Sequence, residues 1–220
     1  SPSWAAHRRR LGPMPDAYLP ELISWCRQVG LYGRGGAGFP FAVKLASASR
    51  RRAVVVVNAV ETEPASAKDA VLMTRAPHLV LDGASLAAQA LGCDHVRIAV
   101  NSARPEVGRA VQAAIKERRA ATEPLRWSVH PSSGRFVSGE STAVLQLLAG
   151  RDDLPVTRRE PISVRGHRGR PTLLSNAETF AQLAALARLG PDTYAAHGHP
   201  GSAGTTLLTV DGDSPVPLVV

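Results

Sequence analysis

The chain has 220 residues, 44% of them hydrophobic, with a formal net charge of +8, enough for one sizeable domain with its own core, or a domain plus a fragment of another. No apolar run approaches the roughly 18 to 20 residues of a membrane span and no basic-then-apolar leader opens the sequence, so a cytoplasmic protein is the default expectation. The positive charge does not point to nucleic acid, because the arginines are scattered (Arg8 to Arg10, Arg50 to Arg52, Arg118 with Arg119, Arg158 with Arg159, Arg165 to Arg170) and aromatics that could stack on bases are only 5% of residues.

Asp16 can cap a helix over 17–29, with Gly30 as its stop. Cys26 in that helix and the distant Cys93 match neither a C-x-x-C motif nor a zinc spacing. Two buried free thiols are expected, with no metal or iron–sulfur site made by this chain alone. Residues 30–44 then read Gly-Leu-Tyr-Gly-Arg-Gly-Gly-Ala-Gly-Phe-Pro-Phe-Ala-Val-Lys. Glycines let backbone N–H groups approach a ligand and form a concave nest for negative charge, while Arg34 and Lys44 add full positive charges. The spacing is neither the Rossmann G-x-G-x-x-G nor a Walker loop, and a flexible glycine-rich turn is the simpler alternative.

Pro40 opens a short helix carrying Lys44, and 53–57 (Ala-Val-Val-Val-Val) reads as a strand buried on both faces. Helices over 77–90 and 105–119 alternate with strands over 95–100 and 125–130, a further helix spans 139–148, and a last one runs from about Asn176 to Leu189, capped around Ser175. Alternating strands and helices imply right-handed crossovers and a three-layer α/β domain with a mostly parallel sheet. The proline- and arginine-rich stretch 150–170 is too long for a mere connection. A strand over 205–210 and an Asp211-Gly212-Asp213 turn suggest that a β-rich module begins where the sequence stops.

Ligands of open parallel sheets bind beyond the carboxyl ends of the strands. The first strand delivers Asn58 there, followed by Glu61, Glu63, Lys68 and Asp69. Asn58 can hydrogen-bond a heterocycle and the glutamates can hold ribose hydroxyls or an amide; a solvated loop with Glu61 as a helix cap is the competing reading. Glu140 follows Gly139 at a helix N-terminus, where capping alone would account for it. Residues 171–179 place hydroxyls, the Asn176 amide and free N–H groups at the start of the last helix, a second anion site or an ordinary cap.

In this order, Gly30 to Lys44, Asn58 to Pro64 with Lys68-Asp69, Pro77 to Val80 with Gly83, Gly139-Glu140 with Thr142-Ala143, and Pro171-Thr172 with Asn176 and Glu178-Thr179 resemble the FMN-binding domain of the 51 kDa (F) subunit of NADH:quinone oxidoreductase and of related hydrogenase and formate dehydrogenase diaphorase subunits. The likeness spans about residues 20–190. Gly38-Phe39-Pro40 with 42–45 also resembles the C subunit of ion-pumping ferredoxin:NAD oxidoreductase, and the stretch from Thr205 looks like the start of the β-grasp (SLBB) domain that follows in both groups. The resemblance implies a helical segment at 1–29, an FMN-binding domain at 30–200 and a β-grasp beginning at 205–220. In that family FMN lies against the glycine loop, NADH passes it a hydride, and electrons leave singly through iron–sulfur clusters; the flavin carries the redox step, so no side chain is assigned as catalytic. By matching position Gly33, Arg34, Gly35, Gly36, Gly38, Lys44, Asn58, Glu61, Glu140 and Asn176 would hold FMN, and Phe39 and Glu63 would meet NAD(P)H. An iron–sulfur cluster belongs to a partner subunit or a missing C-terminal region, and the protein is expected at the inner face of a membrane complex.

The departures are Val60, Ser141 and Ser175 at positions where the family carries an acidic residue, a second glutamate and an asparagine. Two further phenylalanines that frame the adenine in the family are replaced within 45–48 and 161–162. At ~0.5 to 1.5 kcal/mol per aromatic contact, their loss costs about 1 to 3 kcal/mol, or roughly 5- to 150-fold in affinity. A degenerate, non-catalytic scaffold of the same fold is therefore the alternative reading.

Overall fold

The computed structural model describes residues 3–49, 52–121, 124–199, 201–212 and 218–220. The chain forms α1 (Trp4–Leu11), α2 (Leu19–Gln28), α3 (Phe41–Ser47), β1 (Val54–Ala59), α4 (Lys68–Arg75), α5 (Pro77–Ala90), β2 (His95–Asn101), α6 (Pro105–Ala120), β3 (Arg126–Ser132), a 3-10 turn (Phe136–Gly139), α7 (Ser141–Leu148), a second 3-10 turn (His167–Gly169), β4 (Thr172–Asn176), α8 (Ala177–Leu189), α9 (Pro191–Ala196), β5 (Thr209–Val210) and β6 (Leu218–Val219). The main sheet has the order β3-β2-β1-β4, and all its pairings are parallel. It is the expected α/β domain, with an uneven pair of outer layers.

The valine run of β1 explains its central place. Val54 to Val57 are fully buried, and alternate side chains enter two separate cores. Val55, Val57 and Ala59 join Val96, Ile98, Leu173 and Phe180 in the larger one. Val54 and Val56 join Ala99, Leu174, Val144, Leu145 and Leu148 beneath α7. A strand buried on both faces needs no polar alternation. On the thick side α5 and α8 lie so close that a Cβ added to Gly83 would stand 1.8 Å from the Phe180 carbonyl oxygen. Asp82, one residue earlier, anchors α1 and the end of α8: it accepts from Arg118 and Arg188 at 2.5 Å each and meets His7 Nε2 at 2.8 Å. Burial raises the Asp82 pKa, but the bonds from His7, Arg118 and Arg188 outweigh it and hold the carboxyl at about 2.

Several boundaries differ from expectation. The first long helix begins at Leu19, not Ala17, and Glu21 accepts from the Tyr18 N–H at 2.8 Å. A start at Ala17 would put Pro20 at the fourth helical position, where its missing N–H breaks the ladder; in the first turn the loss is harmless. The stretch 172–176, read as the approach to a helix, is β4 beside β1. It escaped notice because it enters α8 with no intervening loop: Asn176 both ends β4 and caps α8, accepting from the Glu178 N–H at 3.0 Å, so Ser175 is not the cap. The charged residues after Asn58 include α4, and the strand from 205 shrinks to Thr209–Val210 paired antiparallel with Leu218–Val219. Asp213 of the turn and Arg50 and Arg51 lie outside the described residues. Cys26 is buried, and burial pushes its thiol up to about 12. Cys93 is only half-buried, its Sγ donating to the His95 carbonyl at 3.2 Å.

Candidate functional site

The carboxyl ends of β1 and β4, the glycine loop and the 3-10 turn before α7 enclose one cleft. Asn58 and Asn176 are register partners at the strand ends. The glycine loop is pinned at its base, where Gly33 N–H donates to Phe39 O at 2.9 Å and Phe41 N–H to Leu31 O at 2.8 Å. Gly36 (φ 92°) and Gly38 (φ 57°) adopt left-handed backbone with open space where a Cβ would stand, a conformation costly for other residues. Gly35 lies against the β4–α8 junction, its virtual Cβ 3.2 Å from Asn176 Cβ. The cleft has one lobe of about 240 Å³ between the loop, Lys44, Asn58, Ser175 and Asn176, and another of about 610 Å³ bounded by Gly36, Glu61, Glu63, Lys68 and Phe136. The larger lobe suits a small organic ligand, for which pockets run roughly 300 to 1,000 Å³.

Lys44 is the distinctive charge of the first lobe. Its Nζ reaches only the Leu174 carbonyl at 3.4 Å and lies 5.8 Å from the Phe39 ring centroid, with no carboxylate paired to it among the described residues. Burial lowers its pKa. A desolvated ammonium without a counter-ion beside a glycine nest fits an anionic group of a ligand. The Ser175 hydroxyl, buried and unpartnered among the described residues, lines the same lobe.

The other predicted site residues gather at this cleft but are differently engaged. Asn58 Nδ2 donates to Gly139 O at 2.8 Å, tying β1 to the turn before α7. Gly139 has no room for a side chain, since a Cβ would stand 2.7 Å from Val60 O. Glu140 is exposed and caps α7, accepting from Thr142 N–H at 2.7 Å. Asn176 accepts from Lys68 Nζ at 3.0 Å and donates to Asp69. Lys68 also pairs with Glu178 at 3.1 Å. Burial raises the Asp69 pKa against the opposing pull of Lys68. Burial lowers that of Lys68, but Asp69 and Glu178 outweigh it and raise it. Glu61 is buried: it accepts from Asp69 N–H at 3.1 Å, Ala70 N–H at 3.2 Å and Ser66 Oγ at 2.5 Å, and pairs with Arg104 at 2.8 Å. It therefore caps α4 and braces the wall. Glu63 is exposed on the rim of the second lobe and makes no ion pair among the described residues. Arg34 borders that lobe, but its guanidinium donates to Thr205 O at 3.1 Å, while its backbone N–H donates to Thr179 Oγ1 at 3.0 Å. Phe39 stands 44% exposed at the mouth.

Two residues were missed. Phe136, 67% exposed, offers a second aromatic ring on the wall of the larger lobe. Its place beside the glycine–glutamate pair was visible in the sequence, but only the 3-10 turn aims it at the cleft. Arg104, from the loop after β2, had no local signal at all.

Fold and site together define a parallel α/β domain whose glycine loop and strand ends form a cleft with an unpaired lysine at its wall. The Nuo51 FMN-binding domain family matches residues 26–185, and the chain belongs to that family. It is 32% identical over 218 residues to the F subunit of NADH-quinone oxidoreductase from Streptomyces coelicolor, covering 93% of this chain and 48% of that protein. With the corresponding F subunit of Mycobacterium tuberculosis it shares 33% over 226 residues, 95% of this chain and 50% of that one. With the alpha subunit of the NAD-reducing hydrogenase HoxS of Cupriavidus necator it shares 32% over 207 residues, 85% and 33% respectively. A crystal structure of NAD+-reducing [NiFe]-hydrogenase in the air-oxidized state superposes with a TM-score of 0.83 at 33% identity, covering 91% of this chain and 36% of the other. The chain spans about half the length of the NADH-quinone oxidoreductase relatives it matches.

Proposed function

We propose that this chain is the FMN-binding part of an NAD(P)H-oxidising electron-transfer protein. The observation that carries the reading is the unpaired, desolvated Lys44 ammonium facing a glycine nest at the strand ends, the requirements of a flavin phosphate in a protein whose family binds FMN. FMN, when bound, supplies the hydride acceptor and hands electrons on singly. The protein holds and orients. Gly35, Gly36 and Gly38 present backbone N–H groups while Gly33 closes the base of the loop; Lys44 neutralises the phosphate; Asn58 and Asn176 shape the cleft at the strand ends, tying β1 to the turn before α7 and β4 to α8; Glu140 holds the N-terminus of α7 at the wall. Glu61 and Arg34 act one step back, the first bracing α4 and the second tying the loop to the segment at Thr205. Phe39 and Glu63 would meet the nicotinamide nucleotide from the open side. The relatives are named as subunits of larger enzymes, which supports partner subunits; in this reading one of them carries the iron–sulfur cluster through which electrons leave. Among the described residues no helix is long and apolar enough to cross a membrane; the peripheral place at the inner face of a membrane complex belongs to the same proposal. Residues 1–29, 30–200 and 205–220 are assigned as helical segment, flavin domain and beginning of a β-grasp, the last supported by the β5–β6 ladder.

Titration of the purified protein with FMN, followed by flavin fluorescence and absorbance, tests the reading. Stoichiometric binding followed by anaerobic bleaching with NADH is expected. A protein that ignores FMN would sink it.

A further inference from the structure

The sheet face under α7 is apolar over β1 and β4. There Val54, Val56 and Leu174, with Ala99 of β2, meet Val144, Leu145 and Leu148. Over β2 and β3 the same face is polar and basic. The register places His95 beside Arg126, Arg97 beside Ser128 and Ala99 beside His130. His95 Nε2 and His130 Nε2 both bond Ser128 Oγ at 2.9 Å, making a chain across two strands. The turn before β4 adds His167, Arg168 and Arg170, and Arg170 reaches back to Arg52 O at 2.6 Å and Ala53 O at 3.1 Å.

This group lacks negative charge. Arg97, half-buried, makes no hydrogen bond or ion pair among the described residues. Asp94, the carboxylate that acts on His95, is already held by Arg126 at 2.7 Å. His167 is 3% exposed, and its Nδ1 is buried without a partner among the described residues. Burial, with Arg97 and neighbouring arginines, pushes His95 and His167 down to about 4; burial and Arg97 also lower His130. Burial, and then Arg170, Arg168 and Arg126 against the opposing influence of Cys93, lowers Arg97 itself. Arg52 and Arg168 are the non-glycine residues with left-handed backbone, at φ 63° and 51° among the described residues. Each carries strain of order 1 kcal/mol, which persists only where surroundings impose it.

We propose that this basic side of the sheet is a docking surface for an acidic segment of a partner protein, its carboxylates meeting Arg97, Arg168 and Arg170 and accepting hydrogen bonds from the half-buried His95 and His130. Breadth argues for a chain over a single small anion. The groups extend from β3 to the turn before β4, three strand spacings or ~14 Å, whereas one phosphate can engage only one or two of them. An arriving carboxylate would compensate Arg97, relieve the repulsion it exerts on the three imidazoles, and so draw protons onto them. This docking is independent of the flavin cleft, which lies beyond the carboxyl ends of β1 and β4 and is lined by none of these residues.

Fluorescence anisotropy with a labelled twelve-residue glutamate-rich peptide tests the proposal on the whole chain. Arg97→Gln and Arg168→Gln should each weaken binding by about fivefold or more. Arg9→Gln and Arg10→Gln, on exposed α1 far along the chain, should change it by less than about twofold. Arg168 is exposed on a turn, so its variant keeps the test decisive if Arg97→Gln fails to fold. Imidazole NMR signals of His95, His130 and His167 should titrate at higher pH with peptide bound. Failure to bind, losses of equal size in the α1 variants, unmoved histidines, or displacement by inorganic phosphate beyond its effect as a salt would each overturn it.

Discussion

Replacing Lys44 by methionine should separate ligand binding from folding. The native ammonium is desolvated, and recovers only one 3.4 Å contact to Leu174 O and a distant ring face. Methionine keeps the apolar stem and removes the cost of burying charge, so the unliganded protein should be as stable as wild type or more stable. The bound state should suffer. A charge-assisted hydrogen bond contributes about 1.5 to 3 kcal/mol, so FMN affinity should drop roughly 10- to 150-fold. Quenching of FMN fluorescence gives the dissociation constant, and thermal melting without ligand gives the stability. The reasoning fails if affinity changes by less than about threefold, or if the unliganded melting temperature falls by several degrees.

Other changes probe separate parts of the molecule. Asp82→Asn removes the charge facing Arg118 and Arg188 in the core and should cost about 3 to 5 kcal/mol in urea denaturation; a loss below about 1 kcal/mol would contradict the role assigned to it. Gly83→Ala drives a Cβ into Phe180 O and should destabilise by about 1 to 3 kcal/mol or more, measurable as a shifted urea midpoint. Acid should weaken the fold before the carboxylates titrate. His78 and His167 have folded values of about 4, depressed below the unfolded value, so their contribution is complete above about pH 6.5 and is lost as pH falls from 6.5 toward 4. For His167 that is up to roughly 3 kcal/mol. A flat stability profile across that window would refute it, and Asp82, held at about 2, adds its own loss only below about pH 4. Glu63→Ala should leave FMN binding intact while lowering NADH turnover, because its carboxylate stands on the rim of the open lobe; equal damage to both would misplace it.

Local chemistry made much of this protein legible in sequence. The valine run announced a doubly buried strand, Pro77 and Gly92 bracketed α5 to the residue at both ends, and the five glycines of the loop announced close backbone approach. These features depend on periodicity and backbone freedom, which are written in neighbouring residues. The order of strands, and what each polar side chain does, is not local. β4 was hidden because five residues flow into a helix, and only pairing with β1 makes them a strand. Glu61 read equally as a ligand-holding carboxylate or a helix cap, and only folding, which brings the start of α4 and Arg104 onto it, shows it capping. Arg34 belonged to the anion loop by position, yet its guanidinium is drawn to Thr205, far along the chain. Lys44 is the converse case: marked in sequence as a charge of the loop beside Arg34, it alone of the two stays unpaired among the described residues, because packing leaves it one carbonyl contact and partial burial. The sequence by itself determined the central strands and long helices, the glycine loop and the family resemblance; the tertiary structure decided which residues become β4 and α4, which charges are spent on one another and which remain for a ligand, because pairing and desolvation depend on distances that no sequence spacing sets.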